Sequence, residues 1–192
     1  MSVEPNSLKS RAVRLATTLA VSLPLLSAAS PAAQEHLAAP DLPGFVTGHE
    51  AANEQQSIRE EVLSGETVQN WTRMVTTQRF AGMPARVHPA LFLDGMARML
   101  SASCPGATTS RPVYIVRSGQ AAAQLRADCP LLAETGKPET FIILAVTGNT
   151  DLHVKQVAFR GVPTDAGIRW GEEFLAGVSF CSAADSSEVC TS

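Results

Sequence analysis

The chain lacks the short motifs that announce a particular chemistry. Its 192 residues contain no G-x-S-x-G elbow to place a serine nucleophile and no C-x-x-C pair for thiol exchange. They contain neither a G-x-G-x-x-G turn nor a P-loop for phosphates. No two of its four cysteines lie closer than nine positions, so the paired C-x2-4-C spacing of a structural zinc site is missing. Lysine is scarce: after Lys9 only Lys137 and Lys155 occur, and the arginines are scattered singly. A nucleic-acid partner is therefore not expected, because a phosphate backbone is held by clustered cations. No apolar run reaches the roughly 20 residues that cross a bilayer. The longest, Leu15 to Leu26, is 12 residues and contains Pro24.

What is present begins with an export signal. Lys9, Arg11 and Arg14 precede that apolar run, and the small residues Ser27 to Ala33 follow it, the order of a secretory signal peptide. Residues 1–32 are expected to be removed, after Ala29 or Ala32, with no cysteine there to carry a lipid and no stable membrane insertion afterwards. The remaining 160 residues carry 12 basic and 17 acidic side chains and suit one domain. The expected location is periplasmic or secreted. In such a compartment Cys104, Cys129, Cys181 and Cys190 are expected to form two disulfides. Three connectivities are open, and local spacing favours Cys104 with Cys129 and Cys181 with Cys190.

Residues 33–43, rich in Ala and Pro, suggest a flexible leader, with the folded domain spanning 44–192. Short strands are expected at 45–49 and 56–63, and a long one over 68–80, where β-branched and aromatic residues crowd together. Pro89 opens a helix to Ser103 whose apolar positions Phe92, Met96, Met99 and Leu100 share a face, and Cys104-Pro105-Gly106 stops it. Strands follow at 112–117, 121–129, 141–146 and 152–160. The run Phe141 to Val146, apolar at every position, marks a central strand covered on both sides. A second helix, 164–178, has Thr164 as N-cap and Asp165 in its first turn. The order implies an α+β fold, one domain with an antiparallel sheet and both helices packed on one face.

Candidate chemistry is sparse. His36, His49, His88 and His153 have no partner at a metal-ligand offset on one helix and suit surface or cap positions. The pairs Glu60-Glu61 and Glu172-Glu173 diverge on strand or helix and suggest solvated surface. No catalytic, cofactor-binding or metal residue is assigned. The segment with the most recognition chemistry is Asn70 to Gln78, and Trp71, Arg73 and Gln78 are the candidate interaction surface.

The residues Gly65-Glu66-Thr67, Asn70-Trp71-Thr72, Met74-Val75-Thr76 and Gln78 spell G-E-T-x-x-N-W-T-x-M-V-T-x-Q. They are followed by Cys104-Pro105-Gly106, Cys129-Pro130, Gly136 to Thr140, Ala158-Phe159-Arg160, Trp170 and the two terminal cysteines. This pattern resembles a family of small exported proteobacterial proteins with no assigned function. The resemblance implies a periplasmic location and local cysteine pairs, and supplies no catalytic residue. The element order is also similar to the fold of photosystem II extrinsic subunits, a likeness of fold that transfers no function. The expected function is a non-enzymatic binding or accessory module of the cell envelope, acting on an envelope protein or a small ligand. The alternative is a hydrolase or small-ligand enzyme whose site is assembled from dispersed residues, with His49 or His153 near a carboxylate.

Overall fold

Ten strands and two helices make up the described part of the chain. They are β1 (His36–Ala38), β2 (Phe45–Ala52), β3 (Gln56–Leu63), β4 (Arg73–Phe80), α1 (Pro89–Ser103), β5 (Thr108–Thr109), β6 (Val113–Arg117), β7 (Gln120–Leu132), β8 (Lys137–Thr147), β9 (Leu152–Arg160), α2 (Asp165–Ala176) and β10 (Ser179–Cys181). The structure is a computed structural model and describes residues 35–83, 87–182, 187 and 190, all within one unit, 32–192. The signal segment expected over residues 1–32 lies outside the described residues.

Eight strands form one sheet in the order β2-β3-β4-β9-β8-β7-β5, with β6 also paired to β7, while β1 and β10 form a separate two-stranded ribbon. The pairings are antiparallel throughout. Turn chemistry sets the hairpins. Asn53 Oδ1 accepts from the backbone N–H of Gln55 and Gln56 between β2 and β3. Ser118 and Gly119 both adopt positive φ, 46° and 81°, in the two-residue link from β6 to β7, a twist that suits a tight hairpin.

The expected α+β fold, with both helices on one face, is not what the chain forms. Among the described residues 48% are in strands and 19% in helices, so the protein is mostly β. The helices also lie on opposite faces. On β8, Ile142, Leu144 and Val146 pack with Phe174 and Leu175 of α2. Their neighbours Ile143 and Ala145 pack with Ala90 and Leu93 of α1. Successive side chains of a strand point to opposite faces, so these two clusters must lie on either side of the sheet. The unbroken apolar run of β8 follows from this double covering.

Local sequence explains each helix. His88 caps α1 by accepting from the Ala90 N–H, and Pro89 occupies the first turn. Cys104, at the C-cap, is joined by a disulfide to Cys129 of β7, with 5.9 Å between Cα atoms. Thr164 Oγ1 accepts from Gly167 N–H at 3.1 Å to start α2. Gly171 lets α2 lie close on the sheet, since a Cβ there would stand 3.0 Å from Ile142 Cδ1 and 3.2 Å from Val157 Cγ1.

The stretch 33–43 expected to be a flexible leader contains β1. His36, Leu37 and Ala38 pair with Cys181, Phe180 and Ser179, and Leu37 and Leu42 pack against the α2-side core. The second disulfide, Cys181 with Cys190, leaves from the same ribbon.

Candidate functional site

The α2 face carries a row of polar side chains in an otherwise apolar setting. Glu50, Arg59, Thr77 and Lys155 are successive register partners on β2, β3, β4 and β9. They therefore form a ladder straight across four strands. Glu61 lies on the same face, two residues beyond Arg59. Over this ladder runs the segment 37–42, and between them opens a cleft of about 370 Å³. That volume lies within the range of small-ligand pockets.

Lys155 sits at the inner end of the ladder and is only 5% exposed. Its Nζ donates to Thr77 Oγ1 at 2.6 Å, stands 3.8 Å from Glu61 Oε2, and lies 5.8 Å from the centre of the Phe174 ring. Burial pushes its pKa below the ordinary 10.5, with Arg59 acting in the same direction and Glu61 against both. The other oxygen of Glu61 pairs with Arg59 at 3.4 Å, so one carboxylate serves two cations. Sequence reasoning had placed Glu61 on a solvated surface; its side chain is 17% exposed.

The roof of the cleft is fastened beside a second cluster. Glu35, just before β1, accepts from the backbone N–H of Asn149, Thr150 and Asp151 at 2.9, 3.0 and 2.7 Å, and from the Thr150 hydroxyl. Burial alone would raise its pKa, but these four donors hold it below the ordinary carboxylate value. Asp151 accepts from Arg79 at 2.8 Å and from Gly82 N–H at 3.0 Å. Its pKa is likewise lowered, these bonds outweighing the burial that would raise it. His153 is 3% exposed, makes no hydrogen bond through Nε2, and lies edge-on to Phe180.

One candidate ligand atom from each of Glu35, Asp151 and His153 lies within 4.8 Å of the others, which raises the question of a cation. The donor set answers it. Both oxygens of Glu35 and both of Asp151 already receive N–H or O–H groups, one of them a guanidinium. A cation there would compete with these donors and lie beside the Arg79 guanidinium. The cluster is built as a fastening for the N-terminal segment.

The residues expected to form an interaction surface are not brought together. Trp71 is 6% exposed and packs with Val62, Met74 and Ala158 on the α1 side, with the Arg160 guanidinium stacked 4.1 Å from its ring. Arg73 lies on the α2 side, its guanidinium 4.3 Å from the Trp170 ring centre. Gln78 pairs in register with Val154 and so points to the α1 side. The expected strand 68–80 begins at Arg73. Before it, Glu66 accepts from the Thr72 N–H and hydroxyl, which folds 66–72 into a turn and delivers Trp71 to the core. Of the histidines, His88 is a cap as expected and His49 is exposed on the edge strand β2, whereas His153 is a core residue.

A larger cleft, about 440 Å³, lies between β6, β7 and α2, with Arg117, Arg126 and Glu172 in its lining. None of its titratable side chains is buried. Among the described residues no helix is long and apolar enough to cross a membrane.

The site and fold together describe a disulfide-braced, mostly β protein with a polar cleft. No family model matches the chain, and no curated protein matches it. Two solved structures show a distant likeness. One is the protein of unknown function PA94 from Pseudomonas aeruginosa, 19% identical over 66% of this chain and 81% of that one, with a TM-score of 0.40. The other is LpqN of Mycobacterium tuberculosis, involved in cell envelope biogenesis, 11% identical over 80% of this chain and 87% of that one, also at 0.40. At those scores the likeness carries no argument about function.

Proposed function

We propose that this is an exported binding protein, non-enzymatic, which holds a small polar ligand in the cleft beneath residues 37–42. The observation that carries the reading is Lys155, a buried cation bonded to Thr77 and sharing Glu61 with Arg59 in a cleft of ligand size. Buried charge is costly to keep, and its presence in a cleft is a mark of a working site. Export is supported by the signal-like start of the chain and by two disulfides, which persist in oxidising compartments. Membership of the exported proteobacterial family and periplasmic residence belong to the same reading.

The test is a thermal-shift screen of the mature protein against a library of small polar metabolites, run in parallel on Ser57→Trp, which places an indole in the cleft lining. Ligands that stabilise the wild type and not the filled variant support the reading. Equal stabilisation of both removes the cleft as the site.

A second reading draws on the 2.6 Å contact of Thr77 Oγ1 with Lys155 Nζ, which has the geometry of a hydroxyl nucleophile beside an amine base. It would make the protein a hydrolase. The placement of Thr77 counts against it. Thr77 sits inside β4, paired to both β3 and β9, so the neighbouring backbone N–H groups are committed to the sheet and none is left to stabilise an oxyanion. Acylation of Thr77 by an activated ester, detected by peptide mass mapping, would favour this reading over binding alone.

A further inference from the structure

The charges lining the cleft are sorted along it. Inward of the edge strand β2, Arg59 and Lys155 share the single carboxylate of Glu61, so that part of the lining has more positive than negative charge. Thr77 accepts from Lys155 and keeps its own O–H to give. An incoming carboxylate would therefore find a guanidinium, an ammonium and a hydroxyl, all able to donate to it. Arg59 and Lys155 stand on strands two spacings apart, roughly 10 Å between backbones, with the hydroxyl between them.

Asp41 and Glu50 supply the opposite charge. Both line the cleft and both are exposed, Asp41 on the roof segment and Glu50 on the edge strand β2. Glu50 is the direct register partner of Arg59, one strand spacing away. Counting the whole lining, three acids face two bases. A simple anion would be repelled by the outer acids, and a simple cation by the inner bases. A molecule carrying both charges a few ångströms apart matches the order in which the ladder presents them. The apolar side chains of Leu37 and Leu42, also in the lining, leave a place for a hydrocarbon portion.

Resting on the binding reading above, we propose that the cleft takes a small zwitterion of the α-amino acid type. Its carboxylate lies between Arg59, Thr77 and Lys155, and its ammonium is directed towards Asp41 and Glu50. Both charges of the ligand are needed. The desolvated ammonium of Lys155 gains a second counter-charge when the carboxylate arrives, so binding draws its pKa back upward and weakens when the solution is made alkaline enough to neutralise it.

The experiment is isothermal titration of the mature protein with the twenty standard amino acids, then with the amide and the N-acetyl derivative of each that binds. The expected result is binding of at least one free amino acid. Its amide and its N-acetyl derivative should each bind about tenfold to a hundredfold more weakly, the loss of one hydrogen-bonded charge. Arg59→Gln, at a half-exposed side chain, is expected to weaken the free amino acid by a similar factor and to leave the response to its amide little changed. Equal affinity for the free acid and either derivative, or no binding of any amino acid, overturns the zwitterion proposal. If binding of the amino acid survives in Ser57→Trp, the cleft is not the site and the underlying binding reading falls as well.

Discussion

Glu35 Oε1 stands 3.5 Å from His153 Nε2, with both side chains nearly buried, yet burial favours the neutral imidazole. Burial pushes the His153 pKa below its ordinary 6.5, although Glu35 and Asp151 pull it upward. Glu35 does not depend on His153 for a counter-charge, because four donors from residues 149–151 already surround its carboxylate. The N-terminal segment that roofs the cleft is thus fastened by a carboxylate that resists protonation, beside an imidazole that does the same.

The first prediction concerns pH. A depressed folded-state pKa means that the unfolded chain takes up its proton first, so the associated stability is present above about pH 6.5 and is lost as pH falls through the folded value. Glu35 and Asp151 act in the same direction at lower pH, starting from their ordinary 4.5 and 3.8. Urea unfolding between pH 8 and about 5 should show stability falling towards acid. His153→Gln should flatten that fall. An unchanged slope in the variant would remove His153 as its source.

Glu35→Ala should lower stability by about 2 to 4 kcal/mol, because backbone donors of the 149–151 turn lose their acceptor away from water. Gly148 adds a check. A Cβ on Gly148 would run into the Glu35 carboxylate as well as the Asp151 carbonyl oxygen. Gly148→Ala should therefore destabilise the wild type more than it destabilises Glu35→Ala. Full additivity in that double-mutant cycle would show that the two residues do not meet.

Replacing Cys104 and Cys129 by Ala should cost about 3 kcal/mol, since the bridge closes a long loop and ties α1 to β7. The Cys181 to Cys190 pair closes a shorter loop, nine residues apart, and should cost somewhat less. Urea titrations of the two double variants under non-reducing conditions compare them. Peptide mapping of the alkylated native protein should find these two linkages and no free thiol.

Trp71→Ala should cost about 3 to 5 kcal/mol, as expected for a large core side chain, because it empties the space between Val62, Met74 and Ala158 and removes the ring under Arg160. Gln78→Ala, partly exposed, should stay within about 0.5 kcal/mol. Similar small effects for both would place Trp71 at the surface after all.

These residues also mark where sequence reasoning reached and where it stopped. Helix α1 begins at Pro89 and α2 follows Thr164 because proline and the cap act locally, and β9 spans the expected residues 152–160. The doubly apolar run of β8 already implied a cover on each face, yet the helix arrangement inferred from element order put both on one. The ribbon of β1 with β10 went unseen because three-residue strands, paired across more than 140 positions, leave no periodic trace. Glu35 in an Ala and Pro-rich stretch carried no signal of its own. Lys155 and His153 did leave one. They are polar side chains alternating with Leu152 and Val154 in a strand that is apolar on much of both faces, a pattern that asks what buried groups they meet. Trp71 was misplaced because the 66–72 turn, made by the Glu66 carboxylate, interrupts what composition alone makes a long strand.

The most direct test of the account is a proton–nitrogen NMR titration of the mature protein with the tightest-binding amino acid. The predicted result is a set of shifted amides concentrated in residues 37–42, at Glu50, Arg59, Glu61 and Thr77, and around Lys155, with β6 unmoved. Shifts centred instead on β6, β7 and α2, around Arg117 and Glu172, would contradict it and move the site to the other cleft.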